Sequence, residues 1–338
     1  MRVAALTSHE TPPEIEIQDR RAPSPGPGEA IVRVEAAALN HRDLWKLEDD
    51  DRLTADDLPF VPGGDLAGIV EETAADVSGV SEGDRVVLCP LETCGTCRFC
   101  REGPENMCEN YSSYDGAFAE LAVVDANRLV ELPESVDIVD AAALPIAYVT
   151  AFRMLERAGT TAGDLVFVPG ATGGVGVAAI QLATILGAET IGTSTDEAKL
   201  RTVESLGLDH PIHTGDPDEM RTAVAAIGDV DVTINHLGGP FTRVGLEVLR
   251  TNGAMVVCGR TAGQFPEFDA RDLYFGHKRL FGSTLGTQVD LEKLVDFVER
   301  GRLDPVIARE YPLSDTARMM ADMQSREMVG KLVVRPQQ

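Results

Sequence analysis

Five of the six cysteines in this 338-residue chain lie in CPLETCGTCRFCREGPENMC, residues 89–108. Four of them, Cys94, Cys97, Cys100 and Cys108, follow the spacing C-x2-C-x2-C-x7-C. Cysteines this close together in an intracellular chain are typical of a metal site, and four thiolates complete the tetrahedral coordination of zinc. Such a site keeps no open position for a substrate, so we expect one structural zinc per chain. A disulfide framework and free thiols are the alternatives.

A second candidate site is the glycine-rich stretch GATGGVG, which follows the strand-like DLVFVP and precedes an apolar helical segment. Glycines let the backbone approach a pyrophosphate closely, and a helix N-terminus offers unpaired N–H groups. No Lys-Ser or Lys-Thr follows the glycines, so the loop is not of the NTPase kind. A glycine-rich turn without a ligand is the alternative. The predicted cofactor contacts in this loop are Gly170, Thr172, Gly173, Gly174, Val175 and Gly176.

The end of the next strand, ETIGTS at 189–194, bears on which nicotinamide cofactor fits. NAD binders usually place an acid at this strand end to bond the ribose 2′-OH. Here Ser194 takes that place, and Lys199 and Arg201 follow a few residues later. Because a 2′-phosphate needs a cation, the pattern favours NADP(H) over NAD(H). Asp196 keeps NAD(H) open, since a register error of two residues would put an acid in position.

The elements that must position these residues fall into two kinds. The first 130 residues read as short strands separated by Gly, Pro and Asp, which predicts a barrel-like β domain. After about residue 130, an apolar helical stretch at 138–158 is followed by alternating strands and helices, which predicts a parallel doubly wound sheet. We expect an amphipathic helix at 290–300 and a final strand in GKLVVRP. The other predicted strands are 31–39, 67–72, 84–90, 118–124, 164–170, 189–194, 231–237 and 254–259, and the other helices are 174–187, 196–206 and 240–250.

The charge balance is strongly acidic. The chain has 55 acidic and 30 basic residues, a formal net charge of −25 and only five lysines. Dispersed acidic charge is self-repelling in dilute buffer and tolerable where salt screens it, which predicts a salt-rich cytoplasm, as in extreme halophiles. An ordinary acidic protein is the alternative. The same charge argues against nucleic acids and anionic membranes as partners.

The N-terminal MRVAALTSHE lacks a cationic region followed by an apolar stretch, so we expect no secretory signal. The longest apolar run, 141–152, is short and broken by Pro145, so we expect no membrane span. Both observations predict a cytoplasmic protein.

Almost the whole chain resembles the medium-chain dehydrogenase/reductase superfamily, of the zinc-type alcohol dehydrogenase-like kind. The likeness rests on the cysteine lobe, GATGGVG and the closing GKLVV. LNHRDLW (39–45) and PGGDLAGIV (62–70), together with GATGGVG, are most similar to the quinone oxidoreductase branch.

The resemblance implies an α/β architecture of two domains with the active site in the cleft between them. A GroES-like β-barrel catalytic domain would comprise 1–128 and 272–338, with a zinc lobe at 89–110. A Rossmann nucleotide-binding domain would comprise 129–271. Family members are usually homodimers or homotetramers, often joined by extending the Rossmann sheets edge to edge, here through RLFGSTLG at 279–286.

Alcohol dehydrogenases of this family carry a catalytic zinc, and its usual ligand positions correspond here to Asn40, Gly64 and Ile146. These residues cannot build a catalytic zinc site, which needs about three N, S or O ligands and an open position. His41 and Asp65 would supply only two ligands. The resemblance therefore implies a structural zinc without a catalytic one.

Without that Lewis acid, the zinc-free branch moves hydride from NADPH to a quinone or an activated C=C bond. We take Asn40 and His41 as the catalytic candidates. Asn40 would hold the carboxamide, the ribose or a substrate oxygen, and His41 would relay a proton or act as an acid, with a packed histidine as the alternative. Tyr114 and Tyr148 are candidate substitutes for a tyrosine that some enoyl reductases of the family use. Further cofactor contacts are assigned to Thr150, Gly259, Thr261 and Lys331.

Two other functions stay open for this small-molecule enzyme candidate. One is an alcohol or polyol dehydrogenase with an atypical site. The other is a non-catalytic NADPH-binding protein that serves as a redox sensor.

Overall fold

The computed structural model describes residues 1–8, 14–48 and 53–338 and divides the chain into two compact units. The first unit comprises Met1–Ile146, Gly286–Glu327 and Lys331–Gln338, and the second comprises Ala147–Leu285 and Met328–Gly330. The boundaries expected at 128/129 and 271/272 thus compare with 146/147 and 285/286 in the structure.

The elements are numbered in chain order. The strands are β1 (Arg2–Leu6), β2 (Ile15–Asp19), β3 (Glu29–Ala38), β4 (Asp65–Thr73), β5 (Arg85–Leu88), β6 (Leu91–Glu92), β7 (Ser112–Ser113), β8 (Leu121–Asp125), β9 (Leu129–Glu131), β10 (Leu165–Val168), β11 (Glu189–Ser194), β12 (His210–His213), β13 (Val230–Asn235), β14 (Leu249–Val257), β15 (Arg279–Gly282), β16 (Ile307–Pro312) and β17 (Lys331–Arg335). The α-helices are α1 (His41–Glu48), α2 (Arg98–Glu102), α3 (Ile138–Ala143), α4 (Val149–Ala158), α5 (Gly174–Ile185), α6 (Glu197–Glu204), α7 (Pro217–Ile227), α8 (Pro240–Val248), α9 (Ala270–Phe275), α10 (Gln288–Glu299) and α11 (Thr316–Ser325).

The main sheet of the first unit has the order β16-β17-β3-β4-β5-β9, with β8 also paired to β3. Strand β3 is central and mostly buried because small and branched apolar residues occupy both of its faces. Its last residue, Ala38, lies opposite both Asp65 of β4 and Val333 of β17 in antiparallel register. This pairing brings the residue after β3, the start of β4 and the start of β17 to the same edge of the sheet.

The second unit holds a six-stranded sheet in the order β12-β11-β10-β13-β14-β15, with every pair parallel. Helices connect successive strands, so the predicted doubly wound sheet is confirmed. The chain order reverses between the neighbouring strands β10 and β13, and ligands of such sheets bind outside the carboxyl ends of strands at a reversal of this kind. The glycine loop follows β10 at that point.

The apolar stretch at 138–158, which we expected to be helical, is a continuous helix, and Pro145 lies within it. A π-helical turn, Leu144–Tyr148, joins α3 to α4. Proline lacks the N–H that an α-helix needs, and a local π turn accommodates the missing bond. The helix is long and apolar enough to cross a membrane, but 78% of its most apolar window is buried inside the protein, as in a core helix.

Candidate functional site

The four cysteines predicted to bind zinc lie together in the first unit. Their Sγ atoms are all within 4.8 Å of one another, and three measured Sγ–Sγ separations are 3.4, 3.6 and 3.9 Å. A tetrahedral zinc with Zn–S bonds of about 2.3 Å separates its sulfurs by about 3.8 Å, so the four thiols fit this ion. A disulfide needs a separation of about 2.05 Å, and all six cysteines are free.

The cysteine lobe is fastened to the barrel by Arg128, which is 9% exposed. Its guanidinium donates to Glu105 Oε2 at 3.0 Å and to Thr93 Oγ1 at 2.8 Å, both in the lobe. It also donates to Gln288 Oε1 at 3.3 Å, at the start of α10. A zinc held here would therefore fix a lobe in place, and its four sulfur ligands would keep substrate away from the ion.

The glycine loop of the second unit has the geometry of an anion site. Gly170 has φ +71°, and a Cβ on Gly176 would lie 2.3 Å from the carbonyl oxygen of Gly170, so a side chain cannot be accommodated there. The hydrogen-bond ladder of α5 begins with Val177 N to Gly173 O at 2.8 Å. The N–H groups of Gly174, Val175 and Gly176 precede that ladder and are the donors a pyrophosphate would use. The carbonyl of Thr172 accepts a hydrogen bond from Gly330 N at 3.1 Å.

The end of β11 presents both an acid and a cation. Ser194 is its last residue, and its Oγ accepts a bond from Asp196 N at 3.2 Å. Asp196 caps α6, and the N–H of Lys199 bonded to it is the main cause that lowers the pKa of Asp196. Lys199 Nζ lies 3.8 Å from Asp196 Oδ2. Arg201 pairs with Glu197 on an exposed helix face, so the structure brings Lys199 but not Arg201 to the Ser194–Asp196 turn.

The remaining predicted cofactor residues of the second unit are dispersed. Gly259 (φ +120°) and Thr261 follow β14 at its carboxyl end, whereas Thr150 lies within α4 and is 3% exposed. Cys258 directly follows β14. Burial raises the pKa of its thiol to about 11. The thiol is therefore protonated near neutral pH.

The loop after β13 is a feature that we missed in the sequence. Asn235 Oδ1 accepts bonds from the N–H groups of Leu237 at 3.1 Å and Gly238 at 3.0 Å. A Cβ on Gly239 would lie 2.3 Å from the carbonyl oxygen of Ala262, so the loops after β13 and β14 touch backbone to backbone. The sequence pattern that could have predicted this loop is Asn235 at a strand end, followed three residues later by Gly-Gly-Pro.

In the first unit, Asn40, Asp65 and Lys331 form a buried polar cluster. Lys331 Nζ donates to Leu39 O at 2.8 Å, to Asn40 Oδ1 at 2.6 Å and to Asp65 Oδ2 at 3.4 Å. Asn40 Nδ2 donates to Asp65 Oδ2 at 2.8 Å and to Ala38 O at 3.3 Å. All three N–H groups of the ammonium are engaged within this cluster, and the cofactor contact that we expected of Lys331 stays a prediction.

A second set of charged residues is formed by Arg42 and Lys46 of α1 and by Asp115. Arg42 donates to Tyr114 O at 3.1 Å, to Ser113 Oγ at 2.9 Å and to Asp115 Oδ2 at 3.0 Å. Lys46 also pairs with Asp115. These contacts hold the guanidinium of Arg42 in place beside Gly64.

Of the three positions that correspond to catalytic zinc ligands, Gly64 and Ile146 lie side by side and leave no room for a side chain at position 64. A Cβ on Gly64 would lie 2.5 Å from Arg42 NH1 and 2.9 Å from Ile146 Cδ1. Asn40 has both amide hydrogens engaged, as given above. Within residues 1–8, 14–48 and 53–338, the four cysteines are the only group of three or more Cys, His, Asp or Glu side chains close enough to share a metal. The residues present therefore do not fit a catalytic zinc.

His41 begins α1, and its ring centroid lies 6.3 Å from that of Trp45. Burial, with the positive charges of Arg326 and Lys331, lowers the pKa of His41 from 6.5 to about 4. The ring is thus neutral at physiological pH and can both donate and accept a hydrogen bond.

The two tyrosines considered as proton donors are both buried. Tyr148 is fully buried, and its hydroxyl donates to Gln181 Oε1 at 2.9 Å. Burial, together with the negative charges of Asp115 and Glu92, raises the pKa of Tyr114. Of the candidates in the first unit, His41 keeps the side chain best suited to exchange a proton.

Comparison with known proteins gives matches along nearly the whole chain. The family models for the alcohol dehydrogenase GroES-like domain and for zinc-binding dehydrogenases match residues 26–134 and 174–300. An acryloyl-coenzyme A reductase of Sulfurisphaera tokodaii is 31% identical over 320 residues, which cover 93% of this chain and 94% of the relative. An alcohol dehydrogenase of Moraxella sp. strain TAE123 is 29% identical over 340 residues, with 99% of each chain covered. The solved structure of a thermostable alcohol dehydrogenase from Pyrobaculum aerophilum has a TM-score of 0.89 and 34% identity, over 99% of each chain.

Proposed function

Because this chain belongs to the medium-chain dehydrogenase/reductase superfamily, in its zinc-type alcohol dehydrogenase-like family, and is an NAD(P)-dependent oxidoreductase, we propose that it reduces an activated C=C bond or a quinone without a catalytic metal. The acceptors are small molecules: enones, enoyl thioesters or quinones. The proposal places the chain near the quinone oxidoreductase branch, with its one zinc confined to the cysteine lobe.

The observation that carries the proposal is what fills the positions of the metal ligands. Arg42 and Ile146 occupy the space that a side chain at position 64 would need. Asn40 bonds to Lys331 and Asp65 in place of a metal. In a zinc-dependent alcohol dehydrogenase the ion polarises the alcohol, whereas an enone or a quinone is already electrophilic.

The chain's own residues have three tasks in this reaction. NADPH, when bound, supplies the hydride. The N–H groups at the start of α5 would hold its pyrophosphate, and the carboxyl ends of the second unit's strands would position its ribose and ring. Neutral His41 would donate a hydrogen bond to the oxygen on which negative charge develops, or pass a proton to it. Asn40 would act by placing its neighbours, since its amide hydrogens are engaged.

NADP(H) is the proposed cofactor, for which Ser194 and Lys199 are the supporting residues. Serine at the end of β11 offers no carboxylate that would repel a 2′-phosphate, and Lys199 brings a positive charge to the same turn. Asp196 supports the alternative, NAD(H), because it already pairs with that charge. Comparing kcat/KM for NADPH and NADH decides between them, and Lys199→Met should weaken use of NADPH only.

Alcohol dehydrogenation is the second candidate, and the Moraxella relative named as an alcohol dehydrogenase favours it. The acryloyl-coenzyme A reductase relative favours reduction of an enoyl thioester. The test is NADPH oxidation with a panel of enones, enoyl thioesters and quinones, run beside NADP⁺ reduction with primary and secondary alcohols. Turnover of alcohols by a protein that holds two zinc ions per chain would overturn the proposal.

We also propose a salt-rich cytoplasm as the working environment. Each of the five lysines has its ammonium near an oxygen of the protein: Asp115 for Lys46, Asp196 for Lys199, Leu246 O for Lys278, Asp290 for Lys293 and Asp65 for Lys331. Every lysine therefore has a partner within the protein, and the other charges of the chain come from acidic residues and arginine. Unfolding by urea at 0.1 M and 3 M KCl tests this, and equal stability in both would contradict it.

The proposed assembly is a homodimer or homotetramer formed through β15. This strand is the last in its sheet and pairs with β14 alone among the described strands. Large apolar side chains near it are exposed, including Phe275 at 73% and Leu280 at 37%. Exposed apolar groups beside an open sheet edge are typical of an interface, and the mass in solution measures it.

A further inference from the structure

The cysteine lobe is joined to the rest of the first unit by the two-stranded sheet of β6 and β7, which we call the neck. The two strands pair antiparallel, with Glu92 opposite Ser112. Cys94 shortly follows β6 and Cys108 shortly precedes β7. Their Sγ atoms are 3.6 Å apart, and Cys94 N donates to Cys108 Sγ at 3.4 Å. A zinc bound by both thiolates would therefore join the two sides of the neck.

Three consecutive residues at the exit of the neck contact a single side chain of α1. The guanidinium of Arg42 donates to Ser113 Oγ at 2.9 Å and to Asp115 Oδ2 at 3.0 Å. It also donates to Tyr114 O at 3.1 Å. Lys46, one turn further along α1, pairs with the same oxygen of Asp115. The side chains of Arg42, Asp115 and Lys46 are 13%, 15% and 16% exposed, so the exit of the neck is fastened to α1 by charge-assisted bonds that water screens little.

The turn of α1 that contains Arg42 also carries both catalytic candidates. Asn40 directly precedes α1, and His41 is its first residue. Asp43 Oδ2 accepts a hydrogen bond from Asn40 N at 2.9 Å, which ties Asn40 to the same turn. Because residues of one helical turn are linked through the backbone, the position of Arg42 sets the positions of Asn40 and His41. A displacement of the exit segment would therefore reach both candidates through one side chain.

We infer that Asp115 is a positioning residue for Asn40 and His41, and that zinc in the cysteine lobe fixes α1 through it. Zinc would keep Cys94 and Cys108 together, and the neck would pass this constraint to the exit segment that α1 holds. Removal of zinc would release the constraint and let the first turn of α1 move more. None of these steps depends on which acceptor the enzyme reduces, so a failure of the proposed function would leave the coupling to be tested by itself.

Trp45 makes the state of α1 measurable, because it is the only tryptophan in the chain and lies on that helix. Its ring centroid is 6.3 Å from that of His41. The experiment measures quenching of tryptophan emission by acrylamide in molar KCl, with zinc bound and after a chelator has removed it. Far-UV circular dichroism reports whether the zinc-free chain stays folded.

The first comparison is between the loss of zinc and the loss of the Asp115 charge. We expect removal of zinc from the wild-type protein to raise the quenching constant of Trp45 at least about twofold, because a loosened helix end exposes the indole more often. Asp115→Asn keeps the size of the side chain and should give a similar rise with zinc still bound. Removing zinc from this variant should then add little, since both changes break the same link.

Asp231→Asn is the matched control. Asp231 also pairs with an arginine, Arg250, and its side chain is 18% exposed, but it lies in the second unit. With zinc bound, this variant should show the wild-type quenching, and it should respond to zinc removal as the wild-type protein does. Unchanged quenching in a folded zinc-free wild-type protein would overturn the inference, as would wild-type quenching in zinc-bound Asp115→Asn.

A second measurement uses the reciprocity of coupled sites: if zinc holds α1 through Asp115, then Asp115 must also help to hold zinc. Although Asp115 is not a ligand, Asp115→Asn should weaken zinc binding at least about threefold more than Asp231→Asn does, in competition with a chromophoric chelator. Equal zinc affinities in the two variants would overturn the inference, also where the zinc-free chain unfolds. Should Asp115→Asn fail to fold, Lys46→Met removes one partner of Asp115 and is judged by its zinc affinity in the same way.

Discussion

The cysteine lobe and the Asn40–Asp65–Lys331 cluster solve the same problem in different ways, since each organises a part of the first unit around a positive charge. In the lobe, four thiols within 15 residues would surround one zinc. In the cluster, Asn40 and Asp65 are 25 residues apart, and Asn40 lies 291 residues from Lys331, whose ammonium both side chains contact. The lobe is a local device on the surface, whereas the cluster depends on the register of three strands. The charge of the Lys331 ammonium is placed by the pairing of β3 with β4 and β17.

The largest expected effect is the loss of stability when the buried charge pair of the cluster is broken. Asp65→Ala leaves Lys331 buried without its counter-charge, so we expect the free energy of unfolding to fall by about 3–5 kcal/mol. Denaturant unfolding in 3 M KCl measures it. Glu197→Ala, which removes the exposed partner of Arg201, should cost about 1 kcal/mol or less. Equal losses in the two variants would mean that the cluster is no more than a surface pair.

Removing a ligand from the lobe should have a smaller effect on stability and a larger one on metal content. Cys94→Ser should reduce zinc from about one per chain to nearly none and lower the free energy of unfolding by about 2 kcal/mol, because the lobe also keeps its contacts with Arg128. Metal analysis and denaturant unfolding report the two quantities. Cys89→Ala is the control: this thiol is buried outside the four-cysteine group and should leave zinc bound. Two zinc ions per wild-type chain would contradict the comparison itself.

The pH dependence of stability tests the cluster through His41. The pKa of His41 is lowered to about 4 in the folded protein from 6.5, so between these values the unfolded chain binds more protons. Stability from this residue is therefore fully present above pH 6.5 and is lost as the pH falls towards 4. The loss should reach about 2 kcal/mol between pH 8 and pH 5, and His41→Gln should remove that part of the slope.

Stability curves at fixed KCl between pH 5 and pH 8 measure the effect. A slope unaffected by His41→Gln would show that the ring is not held neutral by its surroundings.

The smallest expected effect concerns the space beside Gly64. Gly64→Ala should cost about 1 kcal/mol, because its Cβ would lie 2.5 Å from Arg42 NH1 and 2.9 Å from Ile146 Cδ1, so both side-chain ends must move to accommodate it. Gly282→Ala meets no atom within 4 Å and should be neutral. Thermal unfolding of both variants measures the difference. A neutral Gly64→Ala would mean that Arg42 does not fill the position.

The cysteine lobe and the cluster also differ in how far they could be predicted from the sequence. The cysteine lobe was readable because its candidate ligands are contiguous, and β11 and the start of α5 were placed correctly because strand, glycine loop and helix occur in order. The role of Lys331 was not readable, since its partners at residues 39, 40 and 65 are distant in sequence and the pairing depends on β17 lying beside β3. The π turn at Pro145 was not readable either, because it depends on the burial of the surrounding helix in the core.

The partnered lysines also decide how this protein would respond to amine chemistry. Lys331 is enclosed, and the side chains of Lys46 and Lys199 are 16% and 18% exposed, whereas that of Lys293 is 44% exposed. Among these four lysine side chains, reagents that acylate or cross-link primary amines would therefore label that of Lys293 ahead of the others. Coupling of lysine side chains to an amine-reactive support would favour attachment through α10, and a lysine placed at a chosen exposed arginine would add a second attachment point.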